Sequence, residues 1–256
     1  MNGLEFSLDR EVLIAARRST VFRYFVDSKR FAAWWGEGSR VEPRPGGALL
    51  IRYPNGVTAS GQVVEIVEDE KFVFTYGYDS GSPIPAGSSR VTITLEDRDQ
   101  GTLVKLRHEL PDEKTRDAHV QGWRYQLAVF SRVVTEEQHA SIQEVVDLFF
   151  RAWGELDRAK RRELLEKCVT DDFTFEDPYS STRGIDDLNE HLAAVQMHMA
   201  GVTLRRASEP RHCKGTALVS WLAVKPDGSP PSRGTNVLTL APDGRLAAAV
   251  GLWEKP

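Results

Sequence analysis

The sequence predicts an α+β protein of two tandem domains, residues 1–134 and 135–256, each a set of helices packed on a bent antiparallel sheet. Three observations predict it. The 256 residues exceed what one small core needs, since domains commonly run to about 100–150 residues. Hydrophobic spacing switches repeatedly between period two and period 3.6. Thr135-Glu136-Glu137-Gln138 has the form of a capping box between two complete sets of elements, and so marks a new helix and the domain boundary.

Residues 4–15 read as a strand, and Ser19-Thr20-Val21-Phe22 opens an amphipathic helix with Val21, Phe22, Phe25 and Val26 on one face and Trp34 and Trp35 at its end. Period-two runs follow at 48–53, 61–67, 72–78, 91–96 and 103–109. Pro54-Asn55-Gly56 is the clearest hairpin turn, because Asn-Gly tolerates the positive φ it requires. From 112 to about 132 the residues Val120, Trp123, Leu127 and Phe130 recur at helical spacing, giving a long helix that closes a cavity against the sheet.

Past the boundary, Val145, Val146, Phe149, Phe150 and Trp153 form the apolar stripe of a first helix. A second helix spans 160–168 and a third 185–199, separated by a short strand at 173–176 and a turn at Pro178. Strand-like runs at 202–211, 217–224, 235–240 and 246–253 close the chain, with Asp227-Gly228 and Asp243-Gly244 at turns.

Net charge is -4, and the halves before and from Thr135 hold 18 basic against 18 acidic and 15 against 19 residues. Neither half has the basic excess of a nucleic-acid binder. Arg158, Lys160, Arg161 and Arg162 cluster, but among Glu155, Asp157, Glu163 and Glu166, as on a solvated helix face. The two cysteines, Cys168 and Cys213, lack any metal-ligand spacing. No run spans a bilayer and the charged start lacks a signal-peptide core, so no membrane association, a cytoplasmic location and no cofactor are expected.

The strings IAARRSTVFRYFVDSKRFAAWWGEG, RPGGALLIRYPNGVTASGQVVEIVEDEKFVFTY, SRVTITLED, GTLVKLRHEL and HVQGWRYQL resemble the START-like (SRPBCC) superfamily, in the branch named for the activator of the ninety-kilodalton heat-shock protein's ATPase. The resemblance covers residues 4–132 and implies a helix-grip cup whose apolar interior holds a ligand in many relatives. Trp34, Trp35, Phe74, Tyr76, His108 and Trp123 are then the candidate ligand-binding residues. Each equally suits a packed core, and His108, in phase with Leu106 and Leu110, suits a hydrogen-bonded core histidine.

Residues 141–254, through VVDLFFRAWGELDRAKRRELLEKCVTDDFTFEDPYSSTRGIDDLNEHL and GTNVLTLAPDGRLAAAVGLWE, resemble the SnoaL-like division of the nuclear-transport-factor-two-like superfamily, a cone-shaped α+β barrel shared by polyketide cyclases and ketosteroid isomerases. By that resemblance Asp177 falls where the isomerases carry their general base, Asn236 where they carry a protonated acid that donates to the enolate oxygen, and Trp253 on a pocket aromatic. Their tyrosines have no counterpart: the first helix has none, and the position in the third falls near Leu192. His191 and Trp221 are further pocket candidates. Asp177 precedes a proline, a setting that equally suits a turn cap.

Three functions are consistent with these features. One is binding of a small apolar or amphipathic molecule in one or both cavities. Another is a cofactor-free isomerase or cyclase with Asp177 as base, Asn236 as oxyanion donor and Trp253 as wall. The third is an interaction module that stimulates a chaperone ATPase. A homodimer is expected to form, if at all, through an open sheet face carrying Val219, Val237 and Thr239.

Overall fold

In the computed structural model, which describes residues 4–254, the chain divides into two compact units, Met1–Thr135 and Glu136–Pro256. The first runs β1 (Phe6–Ile14), α1 (Arg18–Val26), α2 (Ser28–Trp35), β2 (Arg40–Val41), β3 (Ala48–Arg52), β4 (Thr58–Val67), β5 (Lys71–Tyr76), β6 (Ser89–Arg98), β7 (Gly101–Leu110) and α3 (Glu113–Gln138). Its sheet is ordered β1-β7-β6-β5-β4-β3-β2 and every pairing is antiparallel. Strict alternation buries Val91, Ile93 and Leu95 of β6, so one face of the sheet receives the helices. Tyr53 N–H donates to the Val57 carbonyl across the predicted Asn-Gly turn, where Gly56 sits at φ 85°.

Two local expectations fail for identifiable reasons. The helix leading to Trp34 and Trp35 breaks at Asp27, whose extended backbone ends α1 and whose carboxylate accepts from Arg30 N–H at 2.8 Å to cap α2. Thr135 starts no helix. It lies inside α3, fully buried, with its hydroxyl donating back to the Ser131 carbonyl at 2.8 Å, because Val133 and Val134 continue the buried stripe. The next helix begins at Ile142.

The core of the first unit is aromatic. Phe130 of α3 stacks on Phe25 (4.9 Å) and meets Trp34 edge-on (4.8 Å). Tyr24 donates to the Val133 carbonyl at 2.8 Å and Trp34 Nε1 to the Tyr24 carbonyl at 3.2 Å, fastening α1, α2 and α3 together.

The second unit comprises α4 (Ile142–Gly154), α5 (Arg158–Cys168), β8 (Val169–Asp177), β9 (Ser180–Arg183), α6 (Gly184–His198), β10 (Thr203–Arg206), β11 (Arg211–Cys213), β12 (Thr216–Val224), β13 (Ser232–Leu240) and β14 (Leu246–Trp253). The sheet order is β10-β12-β13-β14-β8-β9, with β11 added to β12. It is open, not a closed barrel: β10 and β9 are its edges, and the β14–β8 pairing is parallel in an otherwise antiparallel sheet. The expected strand at 202–211 is split in two around Pro210, which has no N–H to give the ladder.

Cross-strand register corrects the expected open face. Val219 pairs with Asn236 and is buried, whereas Leu218 opposes Val237, which opposes Val250. The outer face therefore carries Leu218, Val237, Val250 and the 53% exposed Leu252. On α5, Arg158 pairs with Glu190, Arg162 with Asp186 and Glu166, and buried Arg161 donates to Asn189 and the Glu155 carbonyl. Cys168 is buried and Cys213 exposed, both as free thiols. No helix among the described residues is long and apolar enough to cross a membrane.

Candidate functional site

Three adjacent strands of the second unit bring Asp177, Gly251 and Asn236 side by side. Asn236 of β13 opposes Gly251 of β14, and Glu176 of β8 aligns with Val250, which sets Asp177 beside Gly251. A side chain at 251 would place its Cβ 3.2 Å from Asp177 Cβ and 3.5 Å from Asn236 Oδ1, so glycine keeps the space between them clear. These residues sit in the wall of a cavity of about 550 Å³ closed by Trp153, Phe175, His191, Trp221 and Trp253.

The polar groups of this cavity are oriented by its tryptophans. Trp221 Nε1 donates to Asn236 Oδ1 at 2.9 Å, which fixes the amide so that Nδ2 has no protein partner among the described residues. Asn236 is only 3% exposed and lines the cavity. Trp253 Nε1 donates to Asp177 Oδ2 at 3.2 Å. Asp177 Oδ1 accepts from Tyr179 N–H at 2.9 Å and Ser180 Oγ at 2.8 Å. Asp177 thus caps the turn after Pro178 and faces the cavity at once. Gly234, paired with both Trp221 and Trp253, lets the two indoles meet edge-on at 5.0 Å.

His191 enters from α6. Its ring lies tilted on Phe175 at 6.1 Å and edge-on to Trp153 at 6.0 Å, and neither ring nitrogen is hydrogen-bonded to the described residues. Burial holds its pKa below 6.5, while the charges of Asp177 and Asp187 act in the opposite direction. Among residues the sequence did not single out as site residues, Trp153 and Phe175 complete the wall. Their helix stripe and strand alternation look the same as core packing. The Tyr179 and Ser180 contacts follow from the Asp-Pro-Tyr-Ser string, a turn signal. Leu192, near which the resemblance puts a tyrosine of the isomerases, is core.

The first unit has its own cavity of about 350 Å³, and Trp34, Trp35, Tyr76 and Trp123 line it together with Tyr53, Tyr78 and His119. Phe74 and His108 lie outside that lining. Phe74 packs on Phe72 at 5.5 Å. His108 stands behind the wall as a connector. Trp123 Nε1 donates to its Nδ1 at 2.9 Å, so Nε2 carries the proton and donates to Ser89 Oγ at 2.8 Å, whose hydroxyl donates to the Tyr76 carbonyl at 2.7 Å. His119 takes the opposite tautomer: Nδ1–H donates to the Thr115 carbonyl at 2.7 Å. The Tyr53 and Tyr76 hydroxyls share a hydrogen bond of 2.8 Å, and burial raises both phenols far above their ordinary range.

Burial pushes His108 down to about 3, with the neighbouring His119 adding to the shift. Because the folded value lies below the unfolded 6.5, the unfolded chain takes up a proton between pH 6.5 and about 3 that the folded wall refuses. The stability due to a neutral His108 is fully present above pH 6.5 and falls as pH drops through that window, at up to about 1.4 kcal/mol per pH unit. Urea unfolding at pH 7 and pH 5 checks this: His108→Gln is expected to lose less stability between the two than the parent protein. An equal loss in both proteins would contradict it.

Comparison with known proteins places residues 15–135 in a match to the family model described as Activator of Hsp90 ATPase homolog 1-like protein. That match lies within the first unit. Among solved structures, a putative isomerase of the SnoaL-like family from Agrobacterium tumefaciens str. C58 is similar at 24% identity and TM-score 0.42, over 46% of this chain and 99% of that one. An AHSA1-like protein from Rhizobium etli is similar at 30% identity and TM-score 0.40, over 50% of this chain and 81% of that one. The Aha1 dimer from Colwellia psychrerythraea is similar at 13% identity and TM-score 0.42, over 48% and 90%. No match was found among curated proteins.

Proposed function

We propose that the second unit binds a small, largely apolar molecule bearing one acceptor such as a carbonyl oxygen. The observation that carries this is Asn236: a buried amide in an aromatic cavity, its oxygen taken by Trp221 and its Nδ2 donor left for a guest. An acceptor on the ligand gives this cavity-facing donor a hydrogen bond worth about 0.5–1.5 kcal/mol net. Quenching of tryptophan fluorescence by 1-tetralone, a bicyclic ketone of suitable size, tests it. Asn236→Leu is expected to weaken binding about tenfold. Absence of saturable quenching in the parent protein, or equal affinity in the variant, would overturn the reading.

A second reading, catalysis of the isomerase or cyclase type without a cofactor, is favoured by the alignment of Asp177 with Asn236 across Gly251. A proton-transfer group and an oxyanion donor then flank the same point in an apolar enclosure, which is what enolisation requires. The first-unit cavity supports binding of an apolar molecule on the strength of its aromatic lining alone. Its family match supports a trial of chaperone ATPase stimulation. A homodimer through the outer face of Leu218, Val237, Val250 and Leu252 is tested by scattering in solution, with Leu252→Arg expected to yield monomers.

A further inference from the structure

Resting on the enolisation reading of the second-unit cavity, the structure bears on which side chain takes the proton. Asp177 is heavily engaged. Three donors, Tyr179 N–H, Ser180 Oγ and Trp253 Nε1, already occupy its two oxygens, and protonation would displace or weaken at least one of them. His191 is the opposite case: it lines the same cavity, and neither of its nitrogens is hydrogen-bonded to the described residues. Phe175 and Asp177 share a face of β8 by strand alternation, and the His191 ring lies on Phe175, which puts imidazole and carboxylate on the same wall of the cavity, with the Asp177 charge acting on the ring.

We propose that His191 is the proton acceptor of this cavity, that Asp177 is the counter-charge stabilising the imidazolium formed there, and that the substrate class is a small apolar ketone with an acidic C–H beside its carbonyl. The C–H bond breaks heterolytically and its electron pair becomes the enolate double bond. The carbonyl π pair moves onto the oxygen, which accepts from Asn236 Nδ2–H, and the proton bonds to a free imidazole nitrogen. The imidazolium then returns the proton to the same carbon or to one conjugated with it, restoring a neutral His191. No oxidant, reductant or second reactant is needed. The surroundings fit a base that is neutral at rest: burial lowers the imidazole pKa, while Asp177 from β8 and Asp187 on α6 oppose the shift. His198 shares the α6 side of the cavity, and α4 contributes the uncharged Trp153.

The test uses the full chain with 1-tetralone in D2O, following deuterium entry beside the carbonyl by proton NMR. The parent protein is expected to accelerate exchange, His191→Gln to lose about 100-fold or more of that rate, and Asp177→Asn to lose only about tenfold. Exchange within about threefold of the parent in His191→Gln, or a larger loss in Asp177→Asn, overturns the assignment and returns the role to Asp177. A ligand-free measurement accompanies it: in ring-labelled protein the His191 titration midpoint is expected to fall in Asp177→Asn, and an unmoved midpoint overturns the pairing. Failure of the underlying reading is distinguishable. Saturable quenching by 1-tetralone without exchange in the parent protein rejects proton transfer and this proposal with it, while lack of quenching rejects carbonyl binding itself.

Discussion

Replacing Phe130 by alanine is expected to cost about 3–5 kcal/mol, the largest stability loss of any single substitution considered for the first unit. The ring is fully buried at the point where three helices meet, stacked on Phe25 and edge-on to Trp34 and Tyr24. Removing it takes away both transferred apolar surface and three aromatic contacts. The flanking rings are themselves pinned, Trp34 by the Tyr24 carbonyl and Tyr24 by the Val133 carbonyl, so they collapse poorly into the void. Chemical denaturation should show a lower midpoint at unchanged slope. Phe130→Leu, which fills most of the volume, should cost less than about 1.5 kcal/mol. A loss below about 1 kcal/mol in the alanine variant would mean that the three helices do not depend on this ring.

The second large effect is expected at Gly234, where a single added methyl group meets a backbone oxygen and a packed indole. An alanine Cβ would lie 2.3 Å from Trp221 Cζ2 and 2.5 Å from the Leu252 carbonyl oxygen. The oxygen is fixed by the β13–β14 ladder, so the indole has to rotate. Rotation breaks the bond from Trp221 Nε1 to Asn236 Oδ1 and releases the amide whose orientation the cavity depends on. Overpacking of this kind costs about 1–3 kcal/mol. Affinity for 1-tetralone should fall more than the roughly tenfold expected for Asn236→Leu, because wall and donor are lost together. Calorimetric melting and fluorescence titration read the two effects separately. Unchanged affinity would show that the tryptophan does not hold Asn236 in place.

The elements that local chemistry determines were legible in the sequence. Alternating strands, the Asn55-Gly56 turn and the apolar stripe of α3 depend on neighbours a few residues apart, and the structure places them where the spacing does. The expectations that failed involved competition between local and tertiary terms. Thr135 and Gln138 match a capping box, but Val133 and Val134 are worth more buried in a continuing helix. The outer sheet face was misread at Val219 because a phase error of one residue exchanges the two faces of a strand. The candidate site was legible only as scattered residues with expected roles. Asp177, His191, Trp221, Asn236 and Trp253 come from five different elements, and their meeting depends on register and on a parallel pairing that no local pattern encodes. Phe74 and His108 looked like cavity residues because inward alternation cannot separate a lining position from the layer behind it.

The parallel contact between β8 and β14 has a kinetic corollary. Every other strand pair of this sheet except β10 with β12 joins neighbours along the chain, but β14 aligns with a strand separated from it by a helix and five further strands. Such a pairing bears most of the loop-closure entropy of the unit, so it belongs to the late side of the folding barrier. Asp177 and Trp253 are brought together by that same pairing, which makes the bond from the Trp253 indole to the carboxylate a marker of the final step. During refolding, the fluorescence change of Trp253 should lag behind collapse of the α4 tryptophan, Trp153, and the cavity should become competent for a ligand only in that last phase.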